Sequence, residues 1–150
     1  MQLAQVNIAK LKYSLESLEL KDFVDNLDPI NTLAEQSKGF VWRLKDDVTD
    51  NATSFTAFDD PDTIVNMSVW ESADDLKNFM FRTHHKDFLK RKKEWFEPMS
   101  EANYVLWWIK PGEFPTPEEG IARLVHLREE GESPYAFSFK SNFTADEAML

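Results

Sequence analysis

From Val65 to Trp70 the chain alternates strictly, with Val65, Met67 and Val69 on one side and Asn66, Ser68 and Trp70 on the other, and it then runs straight into a helical stretch. A period of two marks a half-buried strand, because successive side chains leave a pleated backbone on opposite faces. The two faces differ in chemistry. An aliphatic face suits a packed core, whereas an amide, a hydroxyl and an indole need partners or a ligand wherever they are shielded from water. The segment through Phe96, with His85 on the helix that follows, therefore reads as one wall of a small-molecule pocket.

The rest of the chain supplies the elements around that wall. Leu3 to Ile8 alternates with Ala4, Val6 and Ile8 opposite Gln5 and Asn7, as a first strand does. Leu20, Phe23, Val24, Leu27, Ile30, Leu33 and Ala34 follow at helical spacing, with a break expected at Asp28, which would cap a helix restarting at Pro29. Phe40 to Leu44 reads as a second strand with Phe40, Trp42 and Leu44 on one side. The polar stretch from Lys45 to Asp62 holds a short hairpin arm around Ser54 to Phe58 and suggests a lid. Thr63 to Trp70 is the third strand. Ser72 caps the next helix, Asp74 and Asp75 meet the positive end of its dipole, and a bend is expected near Thr83 before it ends at Trp95 or Phe96. Tyr104 to Ile109 forms the fourth strand. Thr116, Pro117 and Glu119 then make a capping box with proline at the first helical position, and the helix runs to Glu130 and stops at Gly131. Tyr135, Phe137 and Phe139 form a last short extended segment.

Strand, helix, strand, strand, helix, strand is the order of an α+β, ferredoxin-like split βαβ antiparallel sheet with both helices on one face. The whole of 1–150 reads as a single domain, a core over about 1–110 followed by a C-terminal extension over about 111–150. The face of Val6, Ile8, Val65, Met67 and Val69 is expected under the helices. The face of Asn7, Asn66, Ser68 and Trp70 is expected to be open and to need a second copy of the sheet to cover it, which predicts a homodimer.

Composition removes several functions. Acidic residues outnumber basic ones 27 to 17, and a net charge of −10 repels phosphate backbones and anionic membrane surfaces, so nucleic acid and membrane are not expected partners. No segment reaches membrane-spanning length, and the start lacks a secretory leader, which makes the cytoplasm the expected compartment. The absence of cysteine excludes disulfides, thiolate ligands and cysteine nucleophiles. No HExxH or similar cluster points to zinc. The run Lys90-Arg91-Lys92-Lys93 spans about one turn, is followed by Glu94 and Glu97, and suits a helix C-terminus better than nucleic acid. Arg91 is the member of that run aimed at an acid or an anionic ligand, with Arg43 and Arg82 as weaker counterparts.

Of the pair His84 and His85, neighbours about 100° apart on a helix cannot both face one pocket. His85 shares a stripe with Phe81, Phe88 and Leu89. An imidazole there shuttles protons, or else is only a packed core histidine. Among the tryptophans, Trp42 is a candidate for stacking on a ligand, and Trp70 a better one because Asn66 and Ser68 share its face.

The blocks INTLAE, GFVWRL, VNMSVWES, RKKEWFEP, LWWIKPGEFPT, RLVHLREEGESP and AFSF occur in the order seen in a bacterial domain-of-unknown-function family. That family is similar to the antibiotic-biosynthesis-monooxygenase group of the dimeric α/β-barrel superfamily. The resemblance implies a ferredoxin-like subunit that pairs through its sheets, a cavity between sheet and helices, and pocket roles for Asn7, Trp70 and His85. The function so implied is a cofactor-independent, monooxygenase-like enzyme acting on a planar aromatic substrate. Asn66, Trp70 and His85 would carry the chemistry, and Asn7, Ser68, Trp42 and Arg91 would bind the substrate. A non-catalytic ligand-binding or structural dimer is the alternative, and haem held by His85 a third.

Overall fold

The structure, a computed structural model, describes residues 1–83, 85–141 and 143–148. His84 lies outside the described residues. The elements in chain order are β1 (Gln2–Leu11), a 3-10 turn (Leu18–Leu20), α1 (Lys21–Asp25), α2 (Leu27–Gln36), β2 (Phe40–Arg43), β3 (Thr56–Ala57), β4 (Asp60–Trp70), α3 (Ala73–Arg82), α4 (His85–Trp95), β5 (Phe96–Glu97), β6 (Tyr104–Ile109), α5 (Pro117–Glu130) and α6 (Ala145–Ala148). The sheet is antiparallel: β1 lies between β4 and β6, and β2 borders β4. That is the ferredoxin-like order, with β3 and β5 as short additions at the far ends of β4 and β1.

Local chemistry explains most boundaries. Ser72 accepts the Asp75 N–H and Thr116 accepts the Glu119 N–H, the two caps legible in the sequence. Gly131 ends α5 with φ 82, a conformation that glycine adopts without steric cost. The first helical segment breaks at Asn26 rather than at Asp28, because Pro29 has no donor to lose anywhere in the first turn and so sits at the third residue of α2. Near Thr83 the bend is a full break. The Thr83 hydroxyl bonds back to the Phe79 carbonyl and accepts the His85 N–H, so α4 starts afresh at His85.

The two sheet faces are covered differently from expectation. Ala4, Val6, Ile8, Val65, Met67, Val69, Val105 and Trp107 form one core with Leu124 and Leu127, so α5 of the C-terminal extension covers the aliphatic face. Gly120 allows this helix to sit close: a Cβ there would stand 3.1 Å from Val6 Cβ. The two ferredoxin-like helix segments cover the other face. Ala34 of α2 with Leu76 and Phe79 of α3 pack on Leu3, Trp70 and Leu106 at one end, while Phe23 and Trp95 pack on Leu11 and Ile64 at the other. The reasoning that an uncovered face demands a second sheet therefore fails, because the chain covers both faces itself.

A bulge in β2 adds a second correction. Phe40 pairs with Trp70 but Trp42 with Val69, so Phe40 and Trp42 lie on opposite faces instead of sharing one. The stretch from Lys45 to Asp62 is no lid over the polar face. Ala52, Phe55 and Ala57 pack into the α5-side core, and Thr56–Ala57 folds onto β4 through a tight turn in which Phe58 and Asp59 both have positive φ.

Candidate functional site

Strand register decides which polar side chains meet. Gln5 lies opposite Ser68 and Asn7 opposite Asn66, and all four share the face beneath α2, α3 and α4. Their bonds form a continuous network. Gln5 Nε2 donates to Ser68 Oγ at 2.8 Å and to Asn66 Oδ1 at 3.0 Å; Asn7 Nδ2 donates to Gln5 Oε1 at 3.0 Å and to Asn66 Oδ1 at 3.3 Å. The Trp70 indole N–H closes the inner end on Ser68 Oγ at 2.8 Å.

This polar band lies between the two apolar clusters of the same face. Its inner members Gln5, Ser68 and Trp70 are buried, Asn7 is half-buried, and Asn66 is exposed in the middle of a long central strand. A mid-strand side chain that reaches water on a face covered at both ends marks an opening between the covering elements. Where Asn66 reaches water, amides lie between two apolar clusters, and this strip is the candidate recess.

His85 lies toward the Trp70 end of the band. Its ring packs on Phe79 with centroids 4.8 Å apart, and Phe79 in turn stacks on Trp70 at 5.2 Å, so the histidine reaches the inner end of the band through one intervening ring. Its Nδ1 lies 3.4 Å from the Met80 carbonyl. Burial pushes the imidazole below its ordinary value, opposed in part by the bond to Met80. Neutral imidazole is the form that takes up a proton.

Of the remaining candidates, Trp70 closes one end of the recess and the others lie away from it. Trp70 is 1% exposed, stacked on Phe79 and met edge-on by Phe40, so it forms the recess's end wall and does not present an open stacking surface. Trp42 is on the α5 side of the sheet, stacked on Phe114 at 5.5 Å. Arg91 lies over the Trp95 ring and is paired with Glu94 and Asp22, whose bonds hold its guanidinium charged. Arg43 is buried and tied to Glu35 and Asp50, and Arg82 is exposed in the last turn of α3. Gln5, the centre of the network, is the residue that the reading of the strand overlooked. The alternation that placed Asn7 on the polar face placed Gln5 there as well.

Two open clefts lie elsewhere. One of about 480 Å³ includes Arg128, Glu132 and Lys140, and one of about 500 Å³ includes His126, Glu129 and Tyr135. Neither is lined by a residue of the band. Among the described residues no group of three or more His, Asp or Glu is placed to hold a metal ion, and no helix is long and apolar enough to cross a membrane.

Fold and candidate site together define a ferredoxin-like α+β protein with a hydrogen-bonded polar band between sheet and helices. The family model described as "Domain of unknown function (DUF3291)" matches residues 2–150, and the chain belongs to that family. No curated protein matches it. Among solved structures it is similar to a conserved protein from Methanosarcina mazei Go1 (TM-score 0.54, 11% identity, 73% of this chain and 94% of the other). It is also similar to SnoaB, a cofactor-independent oxygenase from Streptomyces nogalater (TM-score 0.51, 12% identity, 77% and 98%). At such identities the likeness is one of fold. Both structures align over nearly their full lengths, so about a quarter of this chain is additional to the shared fold.

Proposed function

We propose that the recess binds a small planar aromatic molecule and that the protein is a cofactor-independent, monooxygenase-like enzyme. The observation that carries this reading is the strip of amides, whose one exposed member, Asn66, opens to solvent between two apolar clusters. The likeness of fold to a cofactor-independent oxygenase supports it.

In this reading the aromatic rings of the ligand lie against the apolar clusters while Asn66 and Asn7 hydrogen-bond its oxygen atoms and stabilise charge that develops there. His85, held neutral by burial, takes a proton from the substrate. The substrate supplies the electrons. A ring CH2 made acidic by an adjacent carbonyl loses its two hydrogens and gains one oxygen atom from O2, the other leaving with those hydrogens as water. Trp70 holds Ser68 in place from the buried end. Trp42 and Arg91, first grouped with the binding residues, take no part. Pairing of two chains and a cytoplasmic location complete the reading, with the contact formed outside the strand face that α5 occupies.

Incubation with a panel of fused-ring anthrones in air and under argon tests the reaction. Turnover is expected only in air, and His85→Ala and Asn66→Ala are each expected to slow it by about a hundredfold. Equal turnover without O2, or unchanged rates in both variants, contradicts the enzyme. A non-catalytic ligand-binding or structural role is the second reading, favoured by the packing of Trp70 between Phe40 and Phe79, which leaves no free indole face. Haem has no such observation in its favour, and a haem titration without a shifted Soret band closes that option.

A further inference from the structure

In the structure the bonds among these side chains run in one sense. Gln5 Nε2 has two hydrogens, and both are used, on Ser68 Oγ and Asn66 Oδ1. Its Oε1 receives the Asn7 N–H, and Asn7 directs its second N–H at Asn66 Oδ1 as well. Asn66 therefore has its oxygen turned inward toward two donors. Its Nδ2, among the described residues, has no protein partner and stands at the exposed mouth of the recess. Gln5 itself is 7% exposed and lies behind Asn66, out of reach of a ligand at the mouth.

We infer that Gln5 is a positioning residue: it fixes Asn66 as a hydrogen-bond donor and thereby makes the recess selective for planar ligands bearing a carbonyl or phenolate oxygen over those bearing an amine. The inference rests on the reading of the recess as a binding site and adds to it the ligand's polar group. The physical basis is the cost of a mismatch. An amine placed against the Asn66 NH2 group sets donor against donor, and an unmet donor costs more than a formed bond returns.

Gln5→Glu reverses the polarity of the hub. A carboxylate accepts only, so Ser68 Oγ–H would donate to it and Asn66 would turn to offer Nδ2 inward, leaving Oδ1 at the mouth. Two measurements on the full chain test this. In side-chain amide NMR, the Gln5 NH2 protons are expected to exchange slowly in the wild type and those of Asn66 quickly, with Asn66 becoming protected in Gln5→Glu. In fluorescence binding with the matched probes 2-acetylnaphthalene and 2-naphthylamine, the wild type is expected to favour the ketone by about tenfold, and Gln5→Glu to remove or invert that preference. If Gln5→Glu fails to fold, Gln5→Met, similar in size and without polar atoms, is expected to bring the preference close to unity.

Protected Asn66 amide protons in the wild type overturn the inference, as does a ketone preference that survives both substitutions. If in those cases Asn66→Ala still abolishes ketone binding, the recess stands as a binding site and only the role of Gln5 falls. Binding of neither probe, with slow exchange of the Gln5 amide nonetheless observed, overturns the ligand selectivity together with the site reading.

Discussion

At the scale of single residues, the burial that lowers the His85 pKa has a thermodynamic signature. A folded-state pKa depressed below the ordinary value near 6.5 means that the unfolded chain binds the proton more tightly. Stability is then highest where the imidazole is neutral in both states. It is lost as pH falls below the unfolded value and levels off once pH has passed the folded one. Denaturant unfolding of the wild type between about pH 8 and pH 5 is expected to show that decline, and His85→Gln to flatten it. An identical pH dependence in the variant contradicts the assignment. Asn66, Ser68, Trp70 and Asn7 were legible as a polar face from alternation alone. Gln5 was on the same face by the same rule, but its importance comes from two residues of a distant strand, at positions that only the register defines.

At the scale of elements, the capping signals of α3 and α5 could be read from the chain because each is a contact across three residues. Thr116→Ala removes the N-cap bond and is expected to cost about 1 kcal/mol, measured by denaturant unfolding. The exchange of Phe40 and Trp42 between faces was not legible, because a bulge is a one-residue slip that leaves composition untouched and inverts every side chain beyond it. Nor did the pattern indicate which face each helix covers. Both faces of β4 carry enough apolar surface to accept a helix, and the choice depends on the handedness of the connections.

At the scale of the whole molecule, the C-terminal extension decides how the sheet is covered. Helix α5 fills the aliphatic sheet face, and Gly120 lets it sit close to Val6 of β1. Gly120→Leu would drive a side chain into Val6, and overpacking of this kind is expected to cost about 2 kcal/mol and to expose apolar surface that a dye reports. Wild-type stability in that variant would mean that α5 does not rest on Val6. The covered face also bears on assembly: two sheets cannot meet there while α5 is in place, so a dimer found by native mass spectrometry should persist in variants of the strand face and weaken in variants of α5's outer surface. The central claim, however, concerns the opposite face, and backbone amide NMR during titration with 2-acetylnaphthalene tests it most directly. Shifts confined to Asn7, Asn66, Ser68, Thr83 and His85 are the predicted result; shifts scattered over the surface, or gathered at the cleft of Arg128 and Glu132, would contradict it.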